Sequence, residues 1–235
     1  MNKMQSFFYS EILSAIKIGE KLLAILVDPE KFNRDTVSEF LEQIPKETTH
    51  LFVGGSTDIH NQISLVVATL KRQSNLPVFL FPGNHQQIEE TADALLFLSL
   101  HSGRNPEYLI GQQVKAAALL NKSNLEIIPT SYLLIDGGHD SAVARVSETD
   151  AMSQDEVEDI LNTALAGQLM GAKLLYLEAG SGAKIPVSVE IIKAVKETVS
   201  IPVIVGGGIK TQTQCKQAYA AGADFIVMGT VFEEG

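Results

Sequence analysis

Three short apolar runs that each break into glycine constrain this chain most. They are Lys173-Leu-Leu-Tyr-Leu-Glu-Ala-Gly-Ser-Gly182, Ile201-Pro-Val-Ile-Val-Gly-Gly-Gly-Ile209 and Ala223-Asp-Phe-Ile-Val-Met-Gly-Thr230, separated by amphipathic stretches of helix length. Runs this short and this apolar read as strands buried on both faces, the pattern of a parallel sheet covered by helices. Glycine at their C-terminal ends lets an anion approach the backbone, and the helix N-termini that follow favour negative charge. The stretch is therefore expected to hold a phosphate.

The upstream chain repeats the unit. Lys21–Val27 reads as a buried strand ending in Asp28-Pro29, and His50–Val53 as a second ending in Gly54-Gly55-Ser56-Thr57. Leu76–Phe81, Ala94–Ser99 and Leu125–Ile135 supply three more strands. Helices are expected at the N-terminus (Phe7, Phe8, Ile12, Ile16), around Val37–Ile44 and Ile59–Leu70, briefly over 86–92, and over 106–120. Ser153-Gln-Asp-Glu156 and Thr211-Gln-Thr-Gln214 read as capping boxes that open two further helices. The aperiodic stretch from Asp136 to Met152 is long for a connection inside a compact domain, a length that points to a lid or other functional loop.

Eight strand candidates alternating with helices over 235 residues point to a single (β/α)8 TIM-type barrel domain spanning 1–235. A doubly wound open sheet is the structural alternative. The barrel is expected to carry an extra N-terminal helix and no final helix after strand eight, leaving that strand's outer face to the N-terminal helix, a partner subunit or further residues.

Composition narrows the function. A net charge of −10 argues against a nucleic-acid or membrane-surface binder, which needs a basic face. The lone Cys215 excludes an intrachain disulfide framework and a cysteine-rich zinc site, and its helical setting reads as packing. With no signal peptide pattern and no apolar run near the ~18 residues of a membrane span, a soluble cytoplasmic protein is expected.

Alternation places Tyr176 and Glu178 on one face of strand six, at the end where barrel enzymes carry catalytic groups. A carboxylate there must be paired, hydrated or working; a salt-bridged core glutamate is the plain alternative. Gly180-Ser181-Gly182, Gly206-Gly207-Gly208 and Gly229-Thr230 follow successive strands, as in barrel phosphate sites, although one such pair alone would be an ordinary turn. Asp28 with Ser56 or Thr57 at the ends of strands one and two suits Mg²⁺, or equally a helix cap. His85, His101 and His139 lack metal-ligand spacing and read as loop residues, while Lys184, Lys210 and Arg104 are candidate anion contacts or solvated cations.

At Leu26-Val-Asp-Pro29, Phe52-Val-Gly-Gly-Ser56, Phe81-Pro-Gly83, Tyr176-Leu-Glu-Ala-Gly-Ser-Gly182, Pro202-Val-Ile-Val-Gly-Gly-Gly-Ile209 and Gly229-Thr230 the chain resembles the geranylgeranylglyceryl phosphate synthases and their heptaprenyl-transferring bacterial relatives. The resemblance spans nearly the whole chain and implies Mg²⁺-assisted transfer of a prenyl group, geranylgeranyl foremost, from a polyprenyl diphosphate to the 3-hydroxyl of sn-glycerol 1-phosphate. It implies that Tyr176, Leu177, Glu178, Ala179, Gly180, Ser181, Gly182, Gly207, Gly208, Gly229 and Thr230 bind glycerol 1-phosphate. It likewise implies that Asp28 and Ser56 hold the metal and that Glu178 acts as the base with Tyr176 orienting. A homo-oligomer is implied too, with membrane contact limited to a transient one for product release. The groove for the prenyl tail carries no motif.

Two rival readings stay open at this point. One is another phosphate-binding barrel enzyme, a phosphosugar isomerase or lyase, although no lysine sits at a strand end where a Schiff base would form. The other is a non-catalytic phosphate- or lipid-binding barrel.

Overall fold

The computed structural model describes residues 7–55 and 62–229. All eight expected strands are present: β1 Leu22–Val27, β2 His50–Val53, β3 Val78–Leu80, β4 Ala94–Leu100, β5 Glu126–Leu134, β6 Leu174–Glu178, β7 Val203–Gly206 and β8 Phe225–Met228. They pair in parallel in chain order, and β8 closes onto β1. Closure rules out the doubly wound alternative. Between the strands run α2 Val37–Gln43, α3 Ile63–Gln73, α4 Gln112–Leu120, α5 Ala142–Ser147, α6 Val157–Leu169, α7 Val189–Thr198 and α8 Gln212–Ala221.

Side-chain alternation makes two cores. Leu51, Leu133, Leu175, Val205 and Ile226 face outward against Val66, Ile160 and Ile191 of the helices. Phe52, Phe79, Tyr132, Tyr176 and Phe225 face inward and fill the barrel with aromatic rings. Fully buried side chains of this size each contribute roughly 1.5–3 kcal/mol.

The N-terminal helix, α1 Phe7–Lys17, lies where sequence did not place it. Its Ile12 belongs to the inner core, and the N–H groups of Phe8 and Tyr9 donate to the Glu126 carboxylate at 2.7 and 2.9 Å. A carboxylate on the first turn satisfies orphan donors and complements the helix dipole. Helix α1 thus plugs the N-terminal end of the barrel. The outer face of β8 meets α8 instead, with Cys215 Sγ 3.6 Å from Met228 Sδ, so the cysteine does pack. Residues after Gly229, on which the expectation of no final helix rests, lie outside the described ones.

Three local expectations are corrected. Residues 86–92 form turns rather than a helix: Asn84 and Glu89 side chains accept from Gln86 N and Thr91 N, which competes with helical bonding. The Ser153 hydroxyl accepts from Asp155 N in a tight turn, so Glu156 becomes the residue flanking α6 rather than its third. By contrast, Thr211 and Gln214 do form the reciprocal cap of α8. Finally, the aperiodic 136–152 stretch contains α5, capped by Ser141 Oγ accepting from Ala144 N at 3.1 Å.

Candidate active site

Strand β6 delivers the candidate reactive pair. Tyr176 and Glu178 point inward at its C-terminal end, 0% and 6% exposed, and Tyr176 stacks on Phe81 and Tyr132 with ring centroids 5.2 and 5.4 Å away. The neighbouring Gly206 leaves the space they occupy: a Cβ there would lie 2.7 Å from Glu178 Oε2 and closer still to Tyr176 Oη. Glu178 Oε1 accepts from Gly180 N at 2.6 Å.

Burial pushes the Glu178 carboxyl up to about 7, against the Gly180 N–H and the Tyr176 hydroxyl, which favour the charged form. Burial first, and the Glu178 charge second, push Tyr176 well above its ordinary range. The two groups are near enough to shift one another, yet among the described residues Tyr176 Oη lacks a partner with hydrogen-bond geometry. A buried hydroxyl left without a partner beside a carboxyl that titrates near neutrality is suited to a substrate hydroxyl.

Beside this pair the chain forms a cradle of glycine backbone. Gly180, Gly182, Gly207 and Gly208 all adopt left-handed backbone, with φ of 94°, 76°, 77° and 72°. Among the described residues the N–H groups of Gly207 and Gly208 have no acceptor, which makes them available donors in the manner of a backbone nest. Gly207 cannot be larger, since a Cβ would lie 2.6 Å from Gly180 N and 2.7 Å from Ala179 N. Ser181 is exposed at the rim. Leu177 and Ala179 turn their side chains into the outer core, and Ala179 N–H is already taken by the Gly206 carbonyl. Gly229 ends β8 alongside Leu26, and Thr230 lies outside the described residues.

Across the mouth, Asp28 follows β1 and its Oδ1 accepts from Glu30 N at 3.0 Å. The carboxylate abuts Gly55 at the end of β2, where a Cβ would be 3.3 Å from Oδ1. Ser56 lies outside the described residues, among which no group of three His, Cys, Asp or Glu side chains is placed to hold a metal. Asp28 and Gly55 still offer hard oxygen chemistry at one edge of an open mouth, which fits a Mg²⁺ held by one carboxylate and completed by phosphate oxygens. Arg104 is spent on the carbonyls of His101 and Gly103, and Lys184 and Lys210 are exposed. His85 and His101 are tied to Gln112 and Ser131, away from the glutamate.

Sequence reasoning missed the apolar half of the site. Strand β3 ends before Phe81-Pro82-Gly83 and pairs with β4 only through Phe79↔Ala94 and Leu80↔Leu95, whereas β4 runs on to Leu100. The barrel wall therefore opens, and both faces of β4 border a cavity of about 110 Å³. It runs from Gly55 and Phe81 at the mouth, past Leu98 and Tyr108, to Ala116 and Leu120 of α4, with Val146 of α5 as a roof. A π-helical turn, Glu107–Gly111, leads into α4, and the bare Gly111 accommodates the Glu107 carboxylate. The signal in sequence was the proline that cuts β3 short beside a long β4.

Comparison with known proteins follows the same lines. Residues 16–235 match the model of the PcrB family. A protein from Zunongwangia profunda named geranylgeranylglyceryl phosphate synthase is 58% identical over 95% of this chain and 96% of its own length. One of the same name from Flavobacterium johnsoniae is 50% identical over 98% and 96%. The crystal structure of (S)-3-O-geranylgeranylglyceryl phosphate synthase from Thermoplasma acidophilum, in complex with substrate sn-glycerol-1-phosphate, superposes with a TM-score of 0.89 at 36% identity, covering 97% of this chain and 92% of that one.

Proposed function

The chain belongs to the PcrB family, and from that premise we propose that it is a prenyltransferase joining a polyprenyl diphosphate, geranylgeranyl diphosphate foremost, to the 3-hydroxyl of sn-glycerol 1-phosphate. One observation carries the reading. A buried carboxyl that titrates near 7 stands between a cradle of left-handed glycines and an apolar groove that opens beside Asp28 and Gly55.

In this reading the phosphate of the acceptor rests on the N–H groups of Gly207 and Gly208 and on the Gly180–Gly182 loop, with Gly229 and Thr230 completing the cradle. The acceptor's 3-hydroxyl then faces Glu178 and the unpartnered Tyr176 hydroxyl. Glu178 takes the hydroxyl proton as the oxygen bonds to the first carbon of the prenyl chain and the carbon–diphosphate bond breaks. A base with a pKa near the working pH is efficient because it is both ionised and basic enough. The prenyl tail lies in the groove lined by Phe81, Leu98, Tyr108 and Ala116, whose dry walls favour it by about 25 cal/mol for each Å² of tail removed from water. Asp28, with Ser56, would hold Mg²⁺, which when bound neutralises charge on the departing diphosphate.

The test is direct. Labelled sn-glycerol 1-phosphate and geranylgeranyl diphosphate are incubated with the protein, and butanol-extractable product is counted with and without EDTA. The expected result is EDTA-sensitive product; a phosphosugar enzyme or a mere binding barrel would give none with any prenyl length.

A further inference from the structure

The segment between β5 and α6 is stitched onto the loop that follows β6. The Gly137 carbonyl accepts from Lys184 N and Ile185 N at 2.9 and 3.1 Å. Gln154 Nε2 donates to the carbonyls of Asp136 and Pro186, and its Oε1 accepts from Ser188 N. The seam is tight enough that a Cβ on Gly137 would lie 2.7 Å from Ala183 Cβ. At its end His139 lies over the glycine cradle: a Cβ on Gly180 would be 3.0 Å from His139 Cε1 and 2.7 Å from Ser141 Cβ. The ring's Nε2 stands 3.0 Å from the Ser181 carbonyl oxygen. A carbonyl only accepts, so Nε2 is the donor in this bond. The ring's Nδ1 is buried and has no hydrogen-bond partner among the described residues.

We propose that His139 is a positioning residue for the acceptor phosphate, acting through the Ser181–Gly182 peptide. This rests on the prenyltransferase reading of the site. The peptide lies in a run flanked by glycines at 180 and 182, both in left-handed backbone, so little steric resistance keeps it from flipping. A flip would present a carbonyl oxygen where an anion needs an N–H. In a trans peptide the C=O and the following N–H point in opposite directions, so holding the Ser181 carbonyl on His139 fixes the Gly182 N–H on the other side. Gly182 then extends the nest begun by its left-handed neighbours.

Steady-state kinetics with each substrate varied separately, on wild type, His139→Ala and His139→Gln, decide the matter. Glutamine places an amide nitrogen at the reach of Nε2, so it can restore the bond without the ring. Loss of one such hydrogen bond is expected to raise KM for sn-glycerol 1-phosphate roughly five- to tenfold in His139→Ala. The kcat and the KM for the prenyl diphosphate should stay within about twofold, and His139→Gln should return the acceptor KM towards wild type. An unchanged acceptor KM in His139→Ala overturns the proposal, as does a glutamine variant no better than alanine. So does a KM that rises equally for both substrates alongside a lowered melting temperature, since that marks general loosening. Wild-type protein that forms no product overturns the underlying reading and this proposal with it, whereas active wild type with an indifferent His139→Ala overturns this proposal alone.

Discussion

Replacing Gly207 with alanine separates backbone strain from site disruption, provided Gly182→Ala is measured beside it. Both glycines hold nearly the same left-handed conformation, φ 77° and 76°. Each substitution therefore carries the same conformational cost, roughly 1–2 kcal/mol. Their surroundings differ. A Cβ at 182 meets none of the described residues within 4 Å, whereas one at 207 would lie 2.6 Å from Gly180 N and 2.7 Å from Ala179 N, with Glu178 Oε1 nearer still. Two of those three neighbours are backbone at the end of β6, which cannot rotate away, and overpacking of this kind adds roughly 1–3 kcal/mol. Urea denaturation should show Gly207→Ala losing about 2–5 kcal/mol and Gly182→Ala about 1–2 kcal/mol. Turnover should diverge further, because moving the Glu178 carboxylate by a fraction of an ångström to about 1 Å costs on the order of 100-fold. If Gly207→Ala matches Gly182→Ala in both stability and turnover, the close approach of the β6 and β7 loops is not what shapes the site.

Two further outcomes follow from the same geometry. Glu178 must be ionised to accept a proton, so kcat/KM should level off above about pH 7 and fall toward tenfold per unit below it. Its folded value of about 7 lies above its ordinary 4.5, so the stability it contributes is full below pH 4.5 and is lost as pH rises through 7. That loss is roughly 3 kcal/mol, and Glu178→Gln should accordingly be more stable than wild type at pH 8 by up to about that amount in urea denaturation; equal stability would contradict the burial cost. In the groove, Ala116→Phe should raise KM for long prenyl diphosphates far more than for short ones while leaving the glycerol phosphate KM alone, and an indifferent chain-length profile would exclude this wall from the tail's path.

The polar half of the site was legible because its cause is local. Strand alternation alone put Tyr176 and Glu178 on one face, and glycines at strand ends needed only the rule that left-handed backbone and close approach favour glycine. The aromatic neighbours of Tyr176, Phe81 and Tyr132, come from β5 and the end of β3, so the stack that desolvates Glu178 is a property of closure rather than of any one segment. The groove was invisible for the same reason. Its lining draws on the loop after β3, on β4 and β5, and on α4 and α5, and it exists because two paired strands differ in length. Helix α5 has six residues, too few for a periodic signal, which is why 136–152 looked featureless although it both roofs the groove and brings His139 onto the Gly180–Gly182 loop. Helix α1 was recognisable by its apolar stripe, but its destination depended on Glu126 meeting Phe8 and Tyr9 more than a hundred residues away.

Glu178→Gln offers the most direct measurement, since the amide keeps the shape and the oxygen that accepts from Gly180 N but cannot take a proton. Binding of labelled sn-glycerol 1-phosphate and formation of butanol-extractable ether are read on the same sample. The variant should bind the acceptor as wild type does and form essentially no product. Turnover at the wild-type rate would show that the proton leaves by another route and that Glu178 is not the base.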